Sequence, residues 1–351
     1  MKHLVLFLLP FLTFQIAQSQ NNSLKNILTP STVKDTIFRL STINNVTADL
    51  PLTLIRGSQS GPTFTIVAGT NGMEYSTILS LLQLRREINP EMLKGNLIII
   101  PIINMQSFYK RTPFVNPQDN LNLNQVFPGN PAGTITEVIA DFITNKVFDA
   151  TDVFLDMHGG DVNEDLIPFI SYYDNKEFKE QTQLASRLSE ISGLTTIVCY
   201  PYLQPSGQPA ISALKQAVRL GIPALSIEVG KLGNCEKSDV LFAKNAVYRM
   251  MAELKMYENK KVKATAPPKI KYNKQAYVSG PGQGIFYSSF KAGNKVIKGE
   301  EIGYITDVFG RNVKIITAPQ TGTILHQTET LPVNEGETLF CIGYTNKIKD
   351  E

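Results

Sequence analysis

Apolar residues fall into two alternating rhythms along the first three quarters of this chain. Phe64–Gly69 (FTIVAG) and Asn96–Ile103 (NLIIIPII) are short, nearly uninterrupted apolar runs rich in β-branched residues. Runs of that length and composition predict strands buried on both faces. Asp152–Met157, Ile167–Tyr173, Thr195–Tyr200 and Ala224–Val229 read the same way, and Thr36–Ser41 and Leu50–Arg56 read as edge strands. Between them the spacing becomes helical: Leu79, Leu81, Leu82 and Leu84 within Tyr75–Ile88, then stripes over Asn175–Ile191, Ile211–Leu220 and Asp239–Tyr257. Thr134-Ile-Thr-Glu137 is a capping-box pattern that opens a helix through Ile143. Strands alternating with helices predict an α/β fold: a mixed, mostly parallel sheet with helices on both faces. Ligand sites in such sheets sit at the carboxyl ends of strands.

The helical spacing stops at Asn259–Lys271 (NKKVKATAPPKIK), a polar stretch with Pro-Pro that reads as an interdomain linker. Short β-type runs broken by Gly follow: GQGIFYS, KVIKGEEIGYITD, NVKIITA, GTILHQT and ETLFCIGY. They predict a small C-terminal all-β, barrel-like domain. Gly280–Gly284 (GPGQG) is turn chemistry, because a phosphate loop would need a following helix and none is predicted. At the other end, residues 1–19 (MKHLVLFLLPFLTFQIAQS) have a basic start, an apolar centre and the small-x-small site Ala17-Gln18-Ser19. That is the pattern of a secretory signal peptide. A retained membrane anchor is the alternative, but the apolar run is shorter than the roughly 20 residues a spanning helix needs. The expected organisation is therefore a signal peptide (1–19), an α/β domain (20–258), a linker (259–271) and a β-domain (272–351). The expected product is secreted or periplasmic, without stable membrane insertion.

Composition narrows the function further. Lys plus Arg number 34 against 31 Asp plus Glu, a net charge of +3, which argues against nucleic acid as a partner. Three cysteines, Cys199, Cys235 and Cys341, leave at least one thiol free and make no zinc ribbon. Only His3, His158 and His326 exist, and His3 would leave with the signal.

Three strand ends break from apolar to polar. Thr70-Asn71-Gly72-Met73-Glu74 follows FTIVAG, Met157-His158-Gly159-Gly160-Asp161 follows VFLD, and Glu228-Val229-Gly230 follows ALSI. Between the first two lies Asp119-Asn-Leu-Asn-Leu-Asn124-Gln125-Val-Phe127-Pro128-Gly129. A lone His after a strand is commonly structural. A Glu after an apolar strand is harder to explain by packing, because a buried carboxylate without partners is costly.

Taken in order, these segments resemble the succinylglutamate desuccinylase/aspartoacylase family, which shares the zinc carboxypeptidase fold. The family pattern is G-x-H-G-x-E, an Arg, D-L-N-R-x-F-P-G, D-x-H-[SG]-G and I-E-x-G. This chain has Gly69-Thr-Asn71-Gly72-Met-Glu74, Arg111, Asn122-Leu-Asn124-Gln125-Val-Phe127-Pro128-Gly129, Asp156-Met-His158-Gly-Gly160 and Ile227-Glu228-Val-Gly230. The resemblance covers roughly residues 50–345. It implies an amide hydrolase acting on N-acyl amino acids or peptide-like small molecules. Glu74 and His158 match two ligands of a zinc or other divalent ion, Glu228 the general base, Arg111 the group that polarises the scissile carbonyl, and Asn124 a substrate-binding residue.

Two positions depart from that pattern. Asn71 stands where the family has its first ligand His, and an amide oxygen suits harder cations than zinc. His326 is the sole other histidine of the processed chain, and its plain reading is a surface residue of a hairpin. Gln125 stands where the family has an Arg that holds a substrate carboxylate; a Gln can still donate one neutral hydrogen bond. The alternative function is a catalytically impaired relative that binds a small molecule without cutting it. Phe290-Lys-Ala-Gly293-Asn-Lys-Val-Ile-Lys-Gly299 and Ala318-Pro-Gln-Thr-Gly322 resemble the biotinyl/lipoyl-like barrel without its attachment lysine. That implies a packing module that shapes the cleft.

Overall fold

A computed structural model describes residue 24 and residues 30–203, 207–263 and 270–345. The segment 1–19, with His3, lies outside the described residues, as do 264–269 of the expected linker.

Nine strands form one sheet in the order β1-β2-β4-β3-β5-β9-β7-β8-β10. They are β1 (Thr32–Ser41), β2 (Thr47–Arg56), β3 (Gln59–Ala68), β4 (Lys94–Ile100), β5 (Val153–His158), β7 (Phe169–Asp174), β8 (Thr196–Pro201), β9 (Ala224–Glu228) and β10 (Ile270–Tyr272). The centre, β4-β3-β5-β9, is parallel throughout, and β7-β8-β10 is parallel within itself but runs against β9. β1 and β2 add an antiparallel edge. The sheet is thus mixed and mostly parallel.

Successive side chains on a strand point to opposite faces, so each central strand feeds two cores. On β4, Leu97 and Ile99 join the cluster packed with α1 (Tyr75–Glu87), α4 (Lys179–Ile191) and α6 (Lys237–Glu253), whereas Ile98 and Ile100 face the other way. That second cluster contains α3 (Ile135–Phe142) and α5 (Ala213–Arg219). The Thr134 capping box forms as predicted, with the Thr134 side chain accepting from Glu137 N–H and the Glu137 carboxylate accepting from Thr134 N–H.

Beyond β10, antiparallel strands make two further sheets. One joins β11 (Lys274–Ser279), β18 (Thr338–Tyr344), β16 (Gly322–Thr328) and β13 (Lys295–Val296); the other joins β15 (Lys314–Thr317), β14 (Glu301–Thr306), β12 (Gly284–Tyr287) and β17 (Pro332–Val333). Between them lies a core that includes Phe286, Ile302, Ile305, Ile324, Phe340 and Ile342.

Two features tie this β-module to the α/β sheet. Ile270 and Lys271, at the end of the expected linker, belong to β10 and pair with Thr196 and Ile197 of β8. β6 (Glu164–Leu166), which follows β5, pairs with β16 rather than with its own sheet. Phe169, Val198, Leu325 and Cys341 fill the seam between the two.

Candidate active site

The period-2 rule assembles the site. On β5, Phe154 faces the α3/α5 core, so Asp156 and His158 emerge on the same face, toward the strand's carboxyl end. On β9, Ala224 does the same for Ser226 and Glu228. His158 and Glu228 are direct partners in the β5/β9 register, and Phe169 of β7 is opposite Glu228 on the far side. Asp156, His158, Phe169, Ser171, Tyr173, Tyr200, Ser226 and Glu228 floor a cavity of about 1140 Å³.

At one end of this floor the loop after β3 delivers Asn71 and Glu74. Gly72 lets that loop nest against its neighbour: a Cβ there would sit 2.3 Å from the Ser107 carbonyl oxygen and 2.5 Å from that of Thr112. Glu74 precedes α1 but does not cap it with its side chain. Instead its carboxylate accepts from Asn71 N–H at 3.1 Å and Asn71 Nδ2 at 2.8 Å, and Oε1 stands 2.9 Å from His158 Nδ1. The other ring nitrogen, Nε2, is 3.1 Å from Asp156 Oδ2. All three of Glu74, Asp156 and His158 are buried.

Burial alone would favour the neutral imidazole, but Asp156 and Glu74 on either side outweigh it and hold His158 well above its ordinary pKa. Burial pushes Glu228 up to about 8, and the carboxylates of Glu74, Glu164 and Asp156 add to the effect while His158 opposes it. Burial likewise raises Glu164 to about 7 and Asp161 to about 6. The site is a dense group of acids with too little positive charge, an arrangement that favours a bound cation.

Asn71, Glu74, Asn124, Gln125, His158 and Glu228 all line the cavity. Asn124 and Gln125 sit in a 3₁₀ turn capped by Asn122, whose side chain accepts from Asn124 N–H at 2.8 Å. Arg111 is placed differently. It ends the short helix α2 (Met105–Lys110) in a left-handed conformation with φ 55°, and its side chain is exposed. The backbone of this turn does reach the site loop, since Gly72 N–H donates to the Thr112 carbonyl at 3.2 Å. Arg111 itself is not among the described residues lining the cavity.

Several lining residues were not singled out by the sequence. Asp156 was seen only as part of a motif, although its i, i+2 spacing from His158 in a strand places both on one face. Lys215 of α5 lies over the Tyr173 ring, 5.7 Å from its centroid, and lines the same cavity as Gln125, whose turn is tied to the start of α5 by the backbone hydrogen bonds that Phe127 and Ile211 exchange at 3.0 Å. His326 is a correction. It is half-buried on β16 and lines the same cavity as Glu228, and is not a hairpin surface residue. All three cysteines are free.

A divalent ion would find two donors already converged, Glu74 Oε1 and His158 Nδ1, with Asp156 orienting the imidazole from behind as carboxylates do at metal sites. The Asn71 amide, already on Glu74, is the third neighbour. Among the described residues no group of three His, Cys, Asp or Glu side chains forms a ligand cluster. The donor set therefore fits a divalent ion through two strong ligands and one amide, a weaker site than three charged or imidazole donors would make.

Residues 60–254, more than half of the chain, match the family profile described as the succinylglutamate desuccinylase/aspartoacylase catalytic domain. The chain belongs to this family. Its relatives include the N-alpha-acetyl-L-2,4-diaminobutyric acid deacetylase of Halomonas elongata, 25% identical over 302 residues that span 84% of this chain and 85% of the deacetylase. Among solved structures, the product-bound ectoine utilization protein EutE (DoeB) of Ruegeria pomeroyi superposes with a TM-score of 0.79 at 21% identity, over 91% of this chain and 98% of that one. The succinylglutamate desuccinylase/aspartoacylase of Rhodobacter sphaeroides gives a TM-score of 0.76 at 22% identity, over 90% and 96%. Agreement across both chains extends the shared fold beyond the profile into the β-module.

Proposed function

We propose that this chain is an exported, metal-assisted hydrolase of amide bonds in N-acyl amino acids or similar small molecules, built on a zinc carboxypeptidase-like fold. The observation that carries this reading is the convergence of Glu74 Oε1 and His158 Nδ1 at 2.9 Å, with Glu228 beside them in the strand register. Glu74, His158 and the Asn71 amide would hold zinc or another divalent ion. That ion would supply Lewis-acid chemistry, acidifying water and polarising the scissile carbonyl.

Glu228 is the general base: it takes a proton from water and returns it to the departing amine. Its pKa, raised by burial to about 8, would fall toward neutrality beside a bound divalent ion, where a base that must also release its proton works best. Asp156 fixes the His158 ring through Nε2. Asn124 and Gln125 orient the substrate, and Lys215 supplies the positive charge that Gln125 does not. Arg111, exposed beside the cavity, is given no step. Secretion or a periplasmic location rests on the signal-like residues 1–19, and no helix among the described residues is long and apolar enough to cross a membrane.

The test is hydrolysis of a panel of acylated amino acids, including N-acetyl-L-2,4-diaminobutyrate, N-acetylaspartate and N-succinylglutamate, by protein purified without chelators and supplied with zinc. Release of amine that disappears in Glu228→Gln is the expected result. No turnover across the panel, or turnover indifferent to Glu228→Gln, overturns the reading.

A further inference from the structure

His326 stands in a row of four residues that crosses the β-module. Leu166 of β6, His326 of β16, Cys341 of β18 and Tyr277 of β11 are successive direct partners in the strand register. Directly opposite residues share a sheet face. All four line the cavity, on the wall that faces the catalytic floor. Phe169, the register partner of Glu228, packs in the same cluster as Cys341 and Leu325, so this wall adjoins Glu228.

Strict alternation would not put His326 there. Ile324 points into the core of the β-module, Leu325 points toward the α/β sheet, and His326 should return to the core. The register of β16 against β18 shifts between Ile324 and His326. This β-bulge lets Leu325 and His326 share one face, and bulges near active sites commonly re-aim a side chain in this way. The imidazole is then left with Nδ1 buried and without a hydrogen-bond partner. A buried polar atom without a partner is costly, so a native structure that keeps one invites a ligand as its explanation. The three neighbours of His326 in the row are neutral, a leucine, a thiol and a phenol, with Glu164, Lys274 and Glu337 also on the cavity lining.

We propose that the His326 imidazole is a specificity contact, turning its unpartnered Nδ1 onto an uncharged polar group, such as an amide or hydroxyl, on the substrate that Glu228 helps to cut. Burial holds His326 down at about 4, so the ring is neutral at physiological pH and offers no ion pair to a carboxylate. This inference rests on the hydrolase reading only for the word substrate; the binding site stands whether or not the amide is cut.

Binding is measured by calorimetry on the Glu228→Gln chain, which keeps the wall and blocks turnover. Two isosteric pairs are the probes. N-acetyl-L-glutamine against N-acetyl-L-homoleucine varies the side chain, and N-succinamoyl-L-alanine against N-(4-methylpentanoyl)-L-alanine varies the acyl group. The amide of at least one pair should bind about two- to tenfold tighter, the worth of one neutral hydrogen bond. The pair that discriminates identifies which end of the substrate meets the wall. The preference should vanish in His326→Leu and survive in part in His326→Gln, with both variants checked for a parental thermal melt. Equal affinities within both pairs, no binding of any probe, or a preference that persists in His326→Leu overturns the proposal. A preference found without hydrolysis by the parent chain sinks the hydrolase reading and leaves this one standing.

Discussion

Asn71 holds Glu74 at two points, its backbone N–H on Oε2 at 3.1 Å and its amide Nδ2 on Oε1 at 2.8 Å. The second bond uses the same carboxylate oxygen that faces His158 Nδ1. To act as a ligand the Asn71 amide must let go of that oxygen and turn its own Oδ1 toward the ion, which makes it a weak third donor. Asn71→His replaces it with a stronger ligand. Zinc affinity should rise by more than the roughly 10–100-fold that outer-shell changes produce. Competition with a chromophoric chelator measures it, and an unchanged affinity would remove Asn71 from the ion's surroundings.

His158→Ala should leave the purified chain without stoichiometric metal. It also strands the Asp156 carboxylate, whose Oδ1 already lacks a partner. Breaking a buried pair from one side costs about 3–5 kcal/mol. Elemental analysis and chemical denaturation read the two effects separately. Retained metal would show that His158 is not a ligand.

Without bound metal, stability should fall as pH rises. Asp161, Glu164 and Glu228 hold their protons more tightly folded than unfolded, up to about 6, 7 and 8. Their contribution is full below the ordinary carboxylate range and is lost as pH climbs through those values. His158, also raised, has the same sign. Asp35 and Asp49, lowered by their arginine partners, act in the opposite sense but at more acid pH. Melting temperature in chelator should therefore decline from pH 5 to 8.5, as stability falls by an amount on the order of a few kcal/mol. Glu228→Gln should flatten the decline, and a melting temperature that climbs over this range would contradict the scheme.

Gln125→Arg should tighten binding of substrates that carry a free carboxylate by about tenfold to a hundredfold, through a charge-assisted pair. Methyl esters of the same compounds should gain nothing. KM for acid and ester compared side by side is the measurement, and equal gains would place residue 125 away from the carboxylate.

Much of this architecture was legible in the sequence because burial writes itself as periodicity. FTIVAG and NLIIIPII read as doubly covered strands and are, except that the second ends at Ile100, before Pro101. The Asn71, Glu74, His158 and Glu228 segments were marked by abrupt polarity at strand ends, and the structure brings all four to one cavity. What stayed hidden depends on pairings between residues far apart in the chain. β10 looked like linker because a short strand at a sheet edge needs little apolar content. β6 has only three residues and pairs with a strand some 160 residues later. His326 was read as a hairpin surface residue because nothing local shows that β16 pairs with β6 or that a bulge turns its ring to the cavity. Arg111 matched by order in the chain, yet a left-handed turn leaves its side chain on the outside.

The pairing of β6 with β16 also bears on how the protein is made. Glu164–Leu166 leave the ribosome soon after His158, but their partners, residues 326–328, emerge only some 160 residues later. Domains fold broadly in the order of synthesis. The nascent α/β unit must therefore wait with one wall of its cavity missing and a strand edge unpaired. Closure of the cavity must therefore wait for β16, and a product shortened before residue 326 would retain Glu74, His158 and Glu228 in an open trough.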